Sequence, residues 1–457
     1  MLIAFGLSGA AAQAAEVCSV KPAKLRYDDD IGCFRDPWMR EEIPGIFKFI
    51  PLDESGEASL GFGGEVRQRY EYTLNPEFGE DPQDEKGVWL QRYTLHGDLR
   101  LGPHLRFFGQ MSSALEAGRA GGPSPVDQNE LALQNAFVDV NLPLGRDADL
   151  TLRGGRQELQ FGSGRLVDVR EGPNVRRTFD AARATVELPG WRVDALAARP
   201  RLPHPGVFDD EANDDEALWG AYAVGDEDWL PFGALDLYYL GFENDAGEFA
   251  QGTARERRHS IGTRLYGAEL GWDWNWEAIY QFGSFGDGSI SAWTIASDTG
   301  FTFENAPWRP RIALSANIAS GDGDPADADL GTFNPLFPRG NYFSEAAVLG
   351  PRNFFNIHPF VTVRPTEAWS LTTDMNFFWR LNTSDGVYAP AGQLIRGPSG
   401  SDDRFVGSAV SLTSEYAIAE NLNLTAIYTH FFAGDFIRAT GPSEGIDFFE
   451  LTLQFKF

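Results

Sequence analysis

The sequence lacks several features that would place it in a common class of protein. It has no run of about 18 consecutive apolar residues, the length that a transmembrane helix needs. Only five of its 38 basic residues are lysines, and its formal net charge of −28 excludes a basic nucleic-acid-binding surface. Aromatic residues nevertheless make up 13% of the 457 residues, which is too many for a disordered acidic chain. The composition therefore indicates a folded protein that does not use transmembrane helices.

Motifs of catalysis are also missing. The six histidines show no metal-binding spacing such as H-E-x-x-H, and there is no G-x-S-x-G nucleophile motif. Pairs of carboxylates are common, so composition alone leaves a glycosidase open. Without a second signal for such a site, the sequence predicts no enzymatic activity and no cofactor.

The first residues are typical of a secretory signal peptide. Residues 1–15 are small and apolar, and Ala12-Gln13-Ala14 fits the A-x-A cleavage pattern. The usual positive charge at the start is absent, which is what a truncated signal would show. An exported chain folds in an oxidising compartment, and its two cysteines, Cys18 and Cys33, are therefore candidates for a disulfide.

From residue 58 onward, apolar and polar residues alternate with a period of two. Trp272, Trp274 and Trp276, for example, alternate with Asp273 and Asn275. This pattern predicts amphipathic strands, many of them near the ten residues with which a tilted strand crosses a bilayer. Eighteen strands are predicted, at 58–74, 88–101, 104–115, 130–142, 148–161, 180–188, 190–199, 217–224, 233–243, 256–267, 269–284, 288–303, 308–320, 353–364, 368–382, 404–418, 421–433 and 446–457.

The connections between these strands differ on the two sides. After even-numbered strands they are mostly short, as at 102–103, 143–147, 189, 365–367 and 419–420. After most odd-numbered strands they are long: 75–87, 116–129, 162–179, 200–216, 321–352, 383–403 and 434–445. Short periplasmic turns opposite long extracellular loops are typical of outer-membrane barrels. The sequence therefore predicts an all-β fold, a transmembrane antiparallel β-barrel of about 18 strands.

Two further segments complete the predicted organisation. Residues 16–57 do not alternate, and we expect a periplasmic N-terminal extension or a plug inside a barrel formed by residues 58–457. The last predicted strand places Phe449, Phe455 and Phe457 on one face, a pattern that the barrel-assembly machinery commonly recognises. The predicted location is therefore the bacterial outer membrane.

Several sequence blocks resemble the alginate-export family of outer-membrane barrels. One pair is K-F-I-P-L at 48–52 with L-G-F-G-G-E-V-R-Q-R-Y at 60–70. The other blocks are G-R-Q-E-L at 155–159, G-R-L-V-D at 164–168 and G-P-N-V-R-R-T-F-D at 172–180. The resemblance covers residues 47–457 and implies an eighteen-stranded, arginine-lined pore that passes an anionic polysaccharide. The blocks identify the family more specifically than they identify the cargo.

Arginines recur on the polar face of the predicted strands. Arginine stays charged and binds carboxylates through a planar fork, so these side chains could line the path of an anionic saccharide. The alternative is that they pair with acidic residues of the same face and stiffen the lumen. The pore-lining candidates on the strands are Arg67, Arg69, Arg92, Arg100, Arg106, Arg183, Arg264 and Arg380, together with Arg153 and Arg156, which share a face only if Gly154-Gly155 forms a bulge.

One long loop carries more arginines than acids. Loop 162–179 contains Arg165, Arg170, Arg176 and Arg177 among acidic loops elsewhere. We expect it to turn into the lumen, where Arg170, Arg176 and Arg177 would narrow the pore. The alternative is that Arg176 and Arg177 pair with Asp180 and Glu171 and only fix the loop.

The acidic loops offer one weak metal candidate. Asp322, Asp324, Asp327 and Asp329 could supply oxygen ligands to Ca²⁺, but they lack the spacing of an EF-hand. An ordinary solvated acidic loop is the alternative, and bridging to lipopolysaccharide by divalent cations is a third possibility.

The sequence thus predicts a channel for an anionic, alginate-like polysaccharide or oligosaccharide, or for small acidic solutes. The alternatives are a general or uptake porin for unrelated solutes on the same scaffold and, less favoured, an outer-membrane enzyme. Expected partners are outer-membrane lipid and lipopolysaccharide, the anionic saccharide cargo, the barrel-assembly machinery and periplasmic export proteins. No nucleic-acid partner is expected.

Overall fold

The computed structural model describes residues 22–40, 45–226 and 233–457. The predicted signal peptide at 1–15 and Cys18 lie outside these residues. The signal and the disulfide between Cys18 and Cys33 therefore stay predictions.

Within the described residues, eighteen long strands form an antiparallel barrel, here labelled β1 to β18. Their bounds are β1 Ala58–Leu74, β2 Val88–Leu101, β3 Leu105–Ala117, β4 Asn129–Pro143, β5 Asp149–Gln157, β6 Phe179–Leu188, β7 Trp191–Leu202, β8 Glu216–Gly225, β9 Ala234–Phe249, β10 Gly252–Glu269, β11 Trp272–Phe285, β12 Gly288–Thr302, β13 Arg311–Ala319, β14 Phe354–Thr366, β15 Trp369–Trp379, β16 Phe405–Ala419, β17 Leu422–Ala433 and β18 Ile446–Lys456.

Shorter elements lie in the connections and before β1. The short strands are Ile50–Pro51, Glu211–Ala212, Val387–Tyr388 and Leu394–Arg396. Two α-helices span Gly45–Lys48 and Asp435–Thr440, and 3₁₀ turns span Arg26–Asp28, Gly32–Arg35, Pro37–Arg40 and Pro76–Gly79. None of the helices in the described part of the chain has the length and apolar character needed to span a membrane.

The barrel closes between its first and last strands. β1 pairs with β18 in continuous register from Glu65 opposite Lys456 to Leu74 opposite Asp447. Closure leaves no open edge, so the backbone groups of the spanning strands are satisfied by neighbouring strands, as a lipid environment requires. The predicted fold class is confirmed, and each predicted strand matches a strand of the structure.

The largest shift of a strand end is at β9. The prediction ends this strand at residue 243, whereas the structure extends it to Phe249. A register shift between Asn244 and Gly247 lets pairing with β10 resume after the polar Asn-Asp step. Alternation is interrupted at such a bulge, and a period-two pattern therefore places the end of the strand too early.

The outer face of the barrel wall is apolar and the inner face is polar, which is the reverse of the polarity of a soluble protein. On β11, Trp276 and Tyr280 are 46% and 44% exposed, whereas the intervening Glu277 and Gln281 are buried. An apolar outer band with a polar interior is the arrangement that places a barrel in lipid. The polar side chains that could meet a solute therefore point inward.

Two long connections fill much of the interior. Loop 158–178, between β5 and β6, meets loop 320–353, between β13 and β14, through a parallel bridge from Val167 to Phe337. The main chain of Asp168 donates to the Phe337 carbonyl at 2.9 Å. Leu159, Leu166 and Phe333 are buried in the apolar cluster around this junction. The two loops thus form one packed body inside the barrel.

The N-terminal residues also contact the inner wall. Arg26 donates to the main-chain oxygens of Gly64 and Phe457 at 2.8 and 2.9 Å. Tyr27 is buried against the rings of Phe108 and Phe137. These contacts lie toward the end of the barrel that carries the short turns, which is the periplasmic end in barrels of this kind.

Candidate functional site

Loop 158–178 lies against the inner faces of β1 and β2. Arg67 donates to the main-chain oxygens of Glu171 and Gly172 at 3.0 and 3.3 Å, and to Asn174 Oδ1 at 3.1 Å. Arg69 donates to the Gly172 carbonyl at 2.8 Å. Since both guanidinium groups are buried and occupied by the loop, they position it rather than offer a free anion site.

A buried network of opposite charges holds the same loop. Arg92 Nε lies 2.7 Å from Glu65 Oε1, and its other nitrogen pairs with Glu171. Arg176 Nε lies 2.5 Å from Glu158 Oε1, and Arg176 also pairs with Glu171. Glu171 thus bridges Arg92 of the strand and Arg176 of the loop, and Arg176 stabilises the loop.

Charge within this network fixes the ionisation of Glu171. Burial raises the pKa of its carboxyl, but Arg176 and Arg92 lower it by more, so that the pKa lies well below its ordinary value. The carboxylate is therefore ionised throughout the physiological range.

Four other predicted candidates are also held by partners. Arg165 pairs with Glu277 at 3.0 Å and donates to the Tyr342 hydroxyl at 3.1 Å. Arg264 pairs with Asp236 at 3.0 Å. Arg183 pairs with Asp194 at 2.8 Å. Arg380 is buried and donates to main-chain oxygens of loop 380–404, including those of Thr383 and Asp385. These side chains stabilise the wall and its loops.

The predicted position of Arg156 on the pore lining is wrong. β5 pairs with both neighbours in continuous register across Gly154 and Gly155, so no bulge shifts its faces. Arg153 points inward, 2.7 Å from Asp139. Arg156 therefore lies on the opposite, outer face, where it pairs with Asp180 at 2.9 Å.

Four arginines of the two inward loops have no ion pair within the described residues. One of them, Arg352, donates to Asn334 Oδ1 at 3.1 Å, and the other three bind no acceptor on a described side chain. Arg170 and Arg177 come from loop 158–178 and Arg339 from loop 320–353. They donate only to main-chain oxygens: Arg170 to Val175 at 3.2 Å, Arg177 to Pro338 at 3.1 Å and Arg339 to Tyr342 at 3.0 Å. This cluster leaves positive charge at the junction of the two loops.

Burial affects the protonation of these arginines only slightly at neutral pH. Burial and the neighbouring Arg170 lower the pKa of Arg177 to about 9, and burial lowers that of Arg170 to about 10. Both groups stay protonated at neutral pH. Sequence reasoning missed Arg339, although its place in the longest connection of the barrel was a signal that could have singled it out.

Beside the loops, the passage is lined partly by acids. Two adjoining cavities of about 360 and 480 Å³ share Asn341, Phe343 and Asp374. Their walls carry Glu345, Asp374, Glu415 and Glu450, and also Arg67 and Arg69. Basic and acidic side chains therefore line the same cavities, as the sequence-based alternative of paired charges on one face allows.

A second basic region lies at the short-turn end. A cavity of about 310 Å³ there is enclosed by β2 to β7 and by the N-terminal residues, and we call it the basic vestibule. Its wall arginines are Arg100, Arg106, Arg153, Arg183 and Arg192, all from the strands, and Arg35 of the N-terminal segment also lines it. Arg192 is also absent from the sequence-based candidates. It lies at the start of β7, where the alternation assigns a residue to a face least securely.

The acidic segment 322–329 does not gather its carboxylates. Asp322 accepts from the main chain of Asp324 and Gly331, at 2.8 and 3.0 Å, and Asp327 accepts from that of Asp329. Among the residues that the structure describes, no group of three or more His, Cys, Asp or Glu side chains could hold a metal ion. These aspartates act as local caps of their own loop.

Comparison with known proteins gives a family and a set of structural neighbours. A family model described as alginate export matches residues 58–449. No curated protein matches the chain.

The solved structures that resemble this barrel are porins and channels of low sequence identity. OccAB1 of Acinetobacter baumannii has a TM-score of 0.58 at 12% identity, covering 87% of this chain and 96% of its own. A BenF-like porin from Pseudomonas fluorescens Pf-5 has a TM-score of 0.58 at 11% identity, covering 87% and 98%. OccK2 (OpdF) of Pseudomonas aeruginosa, solved in complex with glucuronate, has a TM-score of 0.55 at 12% identity, covering 90% and 98%.

Proposed function

Because the chain belongs to the alginate export family, and is an outer-membrane channel of the bacterial envelope, we propose that it passes carboxylated saccharides or small acidic solutes. The single observation that carries this proposal is the cluster of Arg170, Arg177 and Arg339 at the junction of the two inward loops. Their guanidinium groups carry positive charge without a carboxylate partner in the described residues. An anion that passes this junction would supply the missing partner.

Distributed positive charge suits transport better than a single tight site. Conduction requires that a solute binds well enough to enter and weakly enough to leave. Arg69 and Arg92, which hold loop 158–178, are paired with carboxylates, whereas the arginines of the loop junction are not. The loop junction and the basic vestibule are two regions rich in arginine. A polymer of uronates would meet these two regions in turn.

One structural neighbour supports the chemistry of the cargo. OccK2 was solved with glucuronate, a sugar that carries one carboxylate. At 12% identity this likeness bears on the fold, and the cargo proposed for the present chain depends on its own arginines. Neither the family nor the neighbours suggest catalysis, and we propose that transport is the whole activity.

A less selective porin is the competing function, and the acidic wall favours it. Glu345, Asp374, Glu415 and Glu450 line the adjoining cavities and would attract cations. The two proposals differ in the sign of ion selectivity, which a reversal potential measures directly.

The test is a planar bilayer that contains the purified barrel in a gradient of KCl. We expect a reversal potential whose sign shows preference for anions. Oligogalacturonates should reduce the current, whereas neutral maltooligosaccharides of equal length should not. Cation preference together with equal effects of both saccharides would establish the general porin instead. Lipopolysaccharide, the barrel-assembly machinery and periplasmic export proteins remain predicted partners.

A further inference from the structure

The basic vestibule is a built cavity rather than a stretch of charged surface. Each of its wall arginines is oriented by an aspartate. Arg106 Nε lies 2.7 Å from Asp98, Arg153 Nε lies 2.7 Å from Asp139, and Arg183 Nε lies 2.8 Å from Asp194. These aspartates are buried. These aspartates hold the arginines in place. Arg106 and Arg153 are also covered by the N-terminal segment, since Arg106 donates to the Tyr27 carbonyl at 2.7 Å and Arg153 lies over the Tyr27 ring. A ligand would therefore be bound through Arg100, Arg183 and Arg192.

Two of these wall arginines are more accessible than the other three. The side chain of Arg100 is 31% exposed and that of Arg192 is 47% exposed. Arg192 also has the weakest ion pair, at 3.4 Å from Asp194. They are the groups that a solute entering from the short-turn end would reach first.

The N-terminal segment brings its own carboxylate to this cavity. Asp28 lies among the residues that line the vestibule. It follows Tyr27, whose hydroxyl donates to the Glu158 carbonyl at 2.6 Å, and Arg26, which is bound to the ends of β1 and β18. These contacts of its two neighbours in the chain place the Asp28 main chain at the vestibule and leave its side chain free to turn.

Asp28 is held loosely although it faces positive charge. It interacts electrostatically with Arg153, Arg183, Arg192 and Arg106, yet in the described part of the chain it forms no direct ion pair. Asp28 is exposed, whereas Asp98, Asp139 and Asp194, which orient the arginines, are buried. A carboxylate in this position is easier to displace than the buried aspartates that orient the arginines.

We propose that the basic vestibule is a binding site for the carboxylate of a uronate unit, and that Asp28 is a tethered occupant that the cargo displaces. This inference rests on the proposed function, since it names the place at which the acidic saccharide binds. The volume of about 310 Å³ is at the lower end for small-molecule sites and suits one or two sugar units. Thr151 and Asn141, which also line the cavity, offer polar groups to sugar hydroxyls.

A tethered competitor has a clear consequence for transport. Because Asp28 is part of the same chain, its effective concentration at the arginines is high and constant. The cargo carboxylate must compete with Asp28 for the arginines, and Asp28 binds them again when the cargo dissociates. Net affinity is thereby lowered without any loss of arginines, which favours release.

The test is binding of digalacturonate to the full chain in detergent, measured by isothermal titration calorimetry with cellobiose as the neutral probe. Asp28→Asn should lower the dissociation constant of digalacturonate by about three- to tenfold. The matched control is Asp30→Asn. Asp30 lies two residues away in the same segment, and its side chain accepts only from the main chain of Gly32 at 2.9 Å. This control should leave binding unchanged.

A second variant keeps the result interpretable. Arg192→Gln should weaken binding of digalacturonate. In the double variant it should remove most of the affinity that Asp28→Asn gains. Folding of every variant is checked by its faster migration in SDS before boiling. The inference is overturned if Asp28→Asn binds digalacturonate with the affinity of the wild type, or if its affinity for cellobiose rises by the same factor. It is also overturned if Arg192→Gln leaves the affinity for digalacturonate unchanged.

These outcomes are separate from those of the proposed function. Anion preference in the bilayer with unchanged binding by Asp28→Asn would overturn only the tethered occupant. Cation preference with no effect of acidic saccharides on the current would overturn the proposed function, and with it the cargo named for the vestibule.

Discussion

Lys24 and Asp168 form an ion pair of 2.6 Å that joins the N-terminal segment to loop 158–178 inside the barrel. The Lys24 carbonyl also accepts from Arg176 at 2.8 Å. Asp168 is buried, so its carboxylate depends on this partner. The N-terminal segment is thus linked directly to the loop that lies inside the lumen.

The first prediction concerns this link. Replacing Lys24 with Met keeps the length of the side chain but removes its charge, which leaves the buried Asp168 without its ion-pair partner. We expect more frequent current fluctuations in single-channel recordings, because loop 158–178 loses one attachment. Lys86→Met, on an exposed extracellular connection, is the control. Identical fluctuations in both variants would show that the pair does not restrain the loop.

The second prediction concerns the charge network around Glu171. Arg92→Ala leaves Glu65 and Glu171 facing each other without the shared cation, and breaking a buried pair in this way costs about 3–5 kcal/mol. We expect unfolding in SDS at a lower temperature, seen as loss of the fast-migrating band. The comparison is Arg100→Ala, since Asp98 keeps Arg106 as a partner. Equal heat resistance of the two variants would contradict the structural role of Arg92.

The third prediction concerns the arginines without ion pairs. The triple variant Arg170→Ala, Arg177→Ala and Arg339→Ala should raise conductance and weaken block by oligogalacturonates by about tenfold, because the free positive charge at the loop junction is lost. Arg156→Ala on the outer face should change neither quantity. If conductance and block stay unchanged while heat resistance falls, the three arginines are structural.

The fourth prediction concerns pH. The pKa of Glu171 is depressed from an ordinary value of 4.5, so the stability that it contributes is present above pH 4.5 and is lost as the pH falls toward its value in the folded protein. Conductance should therefore be constant from about pH 8 to pH 5 and rise only below about pH 4. Glu171→Gln should show the raised conductance already at neutral pH. A rise in wild-type conductance between pH 8 and pH 5 would assign the effect to another group.

The sequence by itself determined the barrel, for a local reason. Side chains of a strand alternate between two faces, so the run from Trp272 to Phe285 states which residues meet lipid without any knowledge of neighbouring strands. Connection lengths are local as well, and they distinguish the two ends of the barrel. The arginine excess in loop 162–179 similarly singled out the segment that lies inside the lumen.

Only the tertiary structure decided which charges remain free. Arg92 is occupied by Glu171, 79 positions away in the chain, and Arg67 by the main chain of residues more than 100 positions away. The same holds for the face of Arg156, which depends on continuous pairing across Gly154 and Gly155, and for the meeting of Arg339 with loop 158–178. Ion pairs form between side chains that closure of the sheet brings within a few ångströms, and periodicity along one strand contains no information about that distance.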